Sequence, residues 1–268
     1  MKNRLRFLLT LFFAAVFVVS GGLFVRQLFD YRTGDQAYAE AAEIANLPAP
    51  AENTPEAPQP SETPSADTAQ AAEPQAAPSD TDAPASIDLP ALQAVNAEVL
   101  GWLSIPGTAI SYPLVQGTDN DYYLTHTWNR SRSAVGAIFM DAGCPADRSG
   151  FNTIIYGHRM NNGSMFASLK YYSEQSYWKS HSRIDLTDAD GTHTYAIYAA
   201  YEVSTEGEAY RLSFSDDAEK QAFLEDGIAR SVISTGIAPD VRDRVLTLST
   251  CTGRGHATRW VVQAVETA

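Results

Sequence analysis

Hydrophobic and polar positions along this chain fall into three textures. Residues 7–25, FLLTLFFAAVFVVSGGLFV, form a nearly unbroken apolar run behind Lys2, Arg4 and Arg6. From about residue 31 to residue 87 the pattern dissolves into Ala, Pro, Glu, Gln, Ser and Thr, and the stretch Asp35 to Asn46 alone suits a short helix. From Ile87 onward apolar residues return in short blocks. Leu89, Leu92, Val95, Val99 and Leu100 have rough helical spacing, with Pro90 near the start. Eight β-prone runs follow: Gly101–Ile105, Ala109–Val115, Ala137–Met140, Thr153–Tyr156, Arg183–Leu186, Thr192–Val203, Arg244–Leu248 and Arg259–Val265. Two helices are predicted among them, Ser164–Tyr172 and Ser215–Ser231. In the second, Ser215 is the expected N-cap, Asp216, Asp217 and Glu219 suit the positive helix end, and Leu224 and Ile228 share a face. Many short strands with few helices predict a mostly β domain, a barrel or a sandwich, with peripheral helices.

The N-terminal run is long enough to span most of a ~30 Å hydrocarbon core. Its basic flank should stay cytoplasmic. A cleaved signal peptide is the competing reading, because Val18 to Gly22 are small enough for a cleavage region. The apolar run continues past them through Leu23, Phe24 and Val25, which favours an uncleaved anchor. The expected organisation is a cytoplasmic tail over residues 1–6, a transmembrane anchor over 7–25, a disordered acidic linker over 26–87 and an extracellular folded domain over 88–268. Ten of the fourteen prolines lie between Pro48 and Pro90. Such a segment has too little apolar surface to offset the entropy of folding.

Charge sharpens this picture. The formal net charge is −13, and no Lys or Arg occurs between Arg32 and Arg130, so the acid is concentrated before the folded domain. No basic stripe is present of the kind that nucleic-acid binding requires. Two cysteines, Cys144 and Cys251, are too few for a disulfide scaffold, and their surroundings lack zinc-ligand spacing. A single bond between them stays open as an alternative.

The chemistry concentrates near the C-terminus, in TLSTCTGRGHATRW. Cys251 ends a β-prone run and faces a glycine-containing loop, where a substrate can reach it. A buried structural cysteine is the competing reading. Arg259 opens the next strand; if the two strands pair, its guanidinium lies beside the thiol and suits a developing oxyanion. Arg254 is the in-chain rival, set among glycines. A thiol needs a proton partner. His158 closes the run NTIIYGH on a rigid strand, whereas His126, His181 and His193 lie in polar contexts and His256 in the flexible loop.

Together these residues resemble the sortases, membrane-anchored cysteine transpeptidases of Gram-positive bacteria. Thr247 to Cys251 match the TLxTC signature. Asn152 to His158 with Gly163 to Phe166, Tyr112 to Gly117 and Asp119 to Leu124 match the class B branch. The resemblance covers about residues 88–265. It implies a closed β-barrel of about eight strands, an N-terminal helix and a helix before the cysteine strand. It also implies Cys251 as nucleophile, His158 as general acid/base and Arg259 as oxyanion stabiliser. Ser249, Thr250, Asn120, Leu124 and Tyr210 are the implied substrate contacts. The implied reaction cleaves a C-terminal sorting signal after Thr through a thioacyl-enzyme and passes the protein to an amine. Implied partners are secreted proteins bearing that signal and a peptidoglycan precursor, or a pilin amine if the enzyme polymerises pilins. No cofactor, metal or nucleic acid is expected. Rival readings are an L,D-transpeptidase or papain-like peptidase, which place a His-Gly pair close before the cysteine or the cysteine ahead of the histidine, and a non-catalytic wall-binding module.

Overall fold

The computed structural model describes residues 2–47, 87–252 and 257–267. Eight strands form a closed barrel in the order β1-β2-β3-β4-β7-β8-β6-β5. They are β1 (Val99–Ser104), β2 (Ser111–Val115), β3 (Ile138–Met140), β4 (Asn152–Tyr156), β5 (Arg183–Asp188), β6 (Gly191–Ser204), β7 (Val245–Cys251) and β8 (Thr258–Glu266). Every expected strand is present, and the fold is a mostly β barrel with peripheral helices. Pairing of β1 with β5 closes the ring. Most neighbours are antiparallel, but β2 with β3 and β4 with β7 run parallel.

Strand alternation explains both layers of the core. On β7, Leu246 and Leu248 are fully buried among Val115, Ile138, Ile155 and Leu186 in the main core. Val245 joins a second cluster on the outer face with Tyr198, Tyr201, Phe223 and Leu224. Helix α4 (Asp217–Arg230) covers that outer face. Its cap is Asp216, whose side chain accepts from the Glu219 N–H at 2.9 Å, and not Ser215. Ser215 instead donates its own N–H to the Glu219 carboxylate at 2.7 Å. The helix expected over Ser164–Tyr172 is a 3-10 segment, Ala167–Ser173, followed by α3 (Gln175–Ser180). The helix expected from Leu89 is α2 (Leu89–Val95), capped by Asp88; Val99 and Leu100 belong to β1.

The N-terminal region departs from expectation. Helix α1 runs without interruption from Lys2 to Ile44. It contains a window apolar enough to cross a membrane. Residues 26–34 of the expected linker are therefore helix, continuous with the helix expected from Asp35, which ends at Ile44. The last part of that helix docks on the barrel, burying Ala37, Tyr38, Ala41 and Ala42, with Ala45 just beyond. Small alanines at i,i+4 spacing let a helix approach closely while contributing little hydrophobicity each, so the docking stripe resembles linker composition. Residues 48–86 of the expected linker lie outside the described residues.

Candidate active site

Parallel pairing of β4 and β7 sets the site. Tyr156 lies opposite Ser249, and both strands point the same way. Two residues further along each strand come His158 and Cys251, at the same end of the barrel. The Gly157 N–H donates to the Ser249 carbonyl at 3.2 Å and carries the pairing one step past the strand. Position 157 requires glycine, because a Cβ there would meet Ile138 at 2.5 Å and the Phe166 ring at 2.7 Å. On the other side of β7, the antiparallel register sets Cys251 directly opposite Arg259. Directly opposed residues project to one face of a sheet. Thus a thiol, a guanidinium and an imidazole from far upstream in the sequence meet at one mouth of the barrel.

The Cys251 thiol and the His158 imidazole lie close enough that each is the largest influence on the other's protonation. The Nε2 atom of His158 lies 2.8 Å from the Leu124 carbonyl oxygen. A carbonyl only accepts, so Nε2 carries a proton and Nδ1 is left for exchange with sulfur. The neighbouring Cys251 sulfur raises the His158 pKa above its ordinary value; burial opposes this and the Leu124 carbonyl adds to it. The neighbouring imidazole lowers the Cys251 pKa against burial, helped by the Arg259 and His158 charges. Opposite shifts on two neighbouring groups favour a thiolate–imidazolium pair. Arg259 donates from one terminal nitrogen to the Thr258 carbonyl at 3.1 Å. Arg159, next to His158, holds the Thr252 carbonyl and further lowers the thiol. It was not among the sequence candidates, and its adjacency to His158 was the available signal.

The other candidates divide. The Tyr210 hydroxyl and Ser249 Oγ are 2.8 Å apart, and the Tyr210 ring stacks on Tyr156 with centroids 6.3 Å apart. Asn120 is exposed, with its amide pinned by two partners: Nδ2 donates to Asp141 at 2.9 Å, and Oδ1 accepts from the Ala142 N–H at 2.8 Å. Asp141 also accepts from the Tyr156 hydroxyl at 2.8 Å. Asp141 and Tyr156 therefore tie Asn120 to the Tyr210–Ser249 pair, and neither was singled out from sequence. Leu124 contributes through its backbone carbonyl on His158. The Thr250 side chain points to the barrel interior, 2% exposed, with Oγ1 unpaired. Strand alternation turns it away from the Cys251 face.

The remaining groups lie apart from this cluster. Cys144 and Cys251 are both free, so the disulfide alternative does not hold. Burial pushes the Cys144 thiol up to about 11. His193 sits between Asp188 and Glu266, near the β6 start. Arg254 and His256 lie outside the described residues. A cavity of 610 Å³ lined by Phe151, Phe214, Lys220 and Arg244 opens where β4 and β7 begin, the end opposite Cys251.

A family model described as Sortase domain matches residues 103–267. The chain is similar to Sortase B of Listeria monocytogenes, 32% identical over 164 residues, which is 61% of this chain and 67% of that protein. The alignment thus spans about two thirds of that relative's length. Among solved structures, it is similar to Staphylococcus aureus sortase B, with a TM-score of 0.63 and 32% identity, covering 66% of this chain and 85% of that one. Clostridium perfringens sortase B gives a TM-score of 0.63 and 31% identity, covering 66% of this chain and 98% of that one. A sortase B complexed with triglycine gives a TM-score of 0.63 and 32% identity, covering 66% of this chain and 84% of that one.

Proposed function

The chain belongs to the sortase family, in its class B branch, and is a cysteine transpeptidase; from that premise we propose that it is a single-pass membrane enzyme that cleaves a sorting signal after threonine and transfers the protein to a cell-wall amine. The single observation that carries the assignment of residues is the strand register that brings His158, past the end of β4, and Arg259, opposite on β8, to Cys251 at the end of β7.

The Cys251 thiolate attacks the threonine carbonyl carbon. Arg259 stabilises the oxyanion that develops; loss of one such donor typically costs about 3–4 kcal/mol in the barrier. The tetrahedral intermediate collapses as the C–N bond breaks, and His158 Nδ1 gives its proton to the leaving amine. A thioester to Cys251 remains, with a neutral imidazole beside it. An incoming amine attacks the thioester, His158 takes its proton, and the thiolate leaves. This sequence needs no metal or organic cofactor. The groove for the signal is the face bearing Asn120, Tyr210 and Ser249, at the rim that Cys251 ends. A primary amine as acceptor is supported by the similar sortase B solved as a complex with triglycine. The acceptor in this reading is a peptidoglycan precursor.

The test is cleavage of a threonine-containing sorting peptide, read by mass spectrometry, with triglycine supplied as acceptor. Cys251→Ala should abolish both cleavage and transfer while circular dichroism stays unchanged. His158→Ala should lose nearly all activity. Arg259→Lys keeps the charge but loses the planar fork and should be severely impaired. Full activity in Cys251→Ala would overturn the mechanism.

A further inference from the structure

The docked part of α1 lies directly behind the candidate histidine. Tyr38 is buried, and its hydroxyl donates to the Gly136 carbonyl at 2.5 Å. Gly136 has φ +65, and a Cβ added to it would lie 2.9 Å from His158 Cδ2, the ring carbon beside Nε2. One residue thus meets α1 with its carbonyl and lies against the imidazole at its Cα. The same segment supplies the Leu124 carbonyl to His158 Nε2, and the Ala137 N–H donates to the Tyr123 carbonyl at 2.9 Å, binding Gly136 and Leu124 into one block.

The grip of α1 on this block is repeated along the helix. The Trp128 indole donates to the Ala37 carbonyl at 2.7 Å, and Ser133 Oγ donates to the Asp30 carbonyl at 3.0 Å. A Cβ on Gly34 would meet Val135 Cγ2 at 2.7 Å, so glycine there sets the depth of approach. The Tyr38 ring also packs edge-on against Tyr112, with centroids 5.1 Å apart. The Tyr112 hydroxyl accepts from the Met165 N–H at 2.9 Å, in the hairpin where the Phe166 N–H donates to the His158 carbonyl at 2.9 Å. Helix α1 therefore supports both the acceptor of the imidazole and the backbone that carries it.

We propose that the docked end of α1 is a positioning element for His158, and that Tyr38 is its working residue, acting through Gly136 and Leu124. This rests on the reading of His158 as the proton partner of Cys251. The hydroxyl of Tyr38 holds the 121–137 segment against the ring, and Nδ1 stays aimed at sulfur. Among the described residues, the ionisable groups acting on His158 itself are Cys251 and Arg259, and Tyr38 reaches it through backbone.

The test uses the full chain in detergent, with two variants. Tyr38→Phe keeps the ring and removes the hydroxyl; Gly34→Leu drives the helix off Val135. Thermal unfolding reports the fold. The pH profile of Cys251 alkylation by iodoacetamide reports the thiol–imidazole pair without any substrate. For Tyr38→Phe we expect an unfolding midpoint close to wild type, an unchanged KM and a kcat lowered about three- to tenfold, the equivalent of one neutral hydrogen bond. The low-pH limb of alkylation should move to higher pH, because a misaimed imidazole stabilises the thiolate less. Gly34→Leu should move it further. A wild-type kcat and alkylation profile in Tyr38→Phe overturns the proposal, as does any loss of kcat that tracks the unfolding midpoint while the profile stays in place. An inactive wild type that still shows a low-pH limb lost in His158→Ala would fault the proposed reaction and leave the positioning role standing.

Discussion

At Cys251, the neighbouring His158 imidazole lowers the thiol pKa and burial raises it, and the first effect prevails. Cys144 has burial as its largest influence and goes the other way, to about 11. Iodoacetamide at neutral pH should therefore give one adduct on the native chain, at Cys251, and intact-mass measurement should find none in Cys251→Ala. In His158→Ala the alkylation limb of Cys251 should move to higher pH, because the thiolate loses its largest stabilising partner. The candidate residues with local signals were legible in sequence: a cysteine at a strand end, an arginine opening the next strand, a histidine closing an apolar run. Asp141, Tyr156 and Arg159 were not. Their roles arise from contacts across 15 to 93 positions, such as Tyr156 with Asp141 and Arg159 with Thr252. Nothing in their immediate neighbourhoods announces those partners.

At the scale of elements, all eight strands were legible because alternation and turn residues are local signals. Their ends were less so. Strand β7 runs on to Cys251, three residues past the expected Leu248, because β8 continues to supply partners there. Helix α4 starts at Asp217 because Asp216 adopts extended backbone and turns its carboxylate onto the Glu219 N–H. Asp216→Ala should lower the stability of the domain by about 1 kcal/mol, measured by urea unfolding, whereas Ser215→Ala should do little. The junction of α1 departs furthest from expectation. Its alanine stripe is only weakly apolar, and burial of Ala37, Ala41 and Ala42 depends on a barrel surface that sequence alone does not display.

At the scale of the whole molecule, the apolar N-terminal half of α1 and its docked end are one helix, so the proposed anchor meets the barrel without a flexible segment between them. The full chain is expected to sediment with membranes and resist alkaline carbonate extraction. A chain lacking residues 1–25 should be released into the soluble fraction with peptide cleavage retained; if the full chain washes off in carbonate, the anchor reading fails. Sequence by itself determined the parts: an apolar segment, eight strands, a late helix, and the chemical types of thiol, imidazole and guanidinium. These rest on periodicities and motifs that a few neighbouring residues specify. Tertiary structure alone decided the assembly. The parallel register of β4 with β7 and the antiparallel register of β7 with β8 bring His158 and Arg259 to Cys251, and the docking of α1 sets what stands behind the histidine. Such choices depend on which distant surfaces fit together, and a chain read in order carries no local mark of that fit.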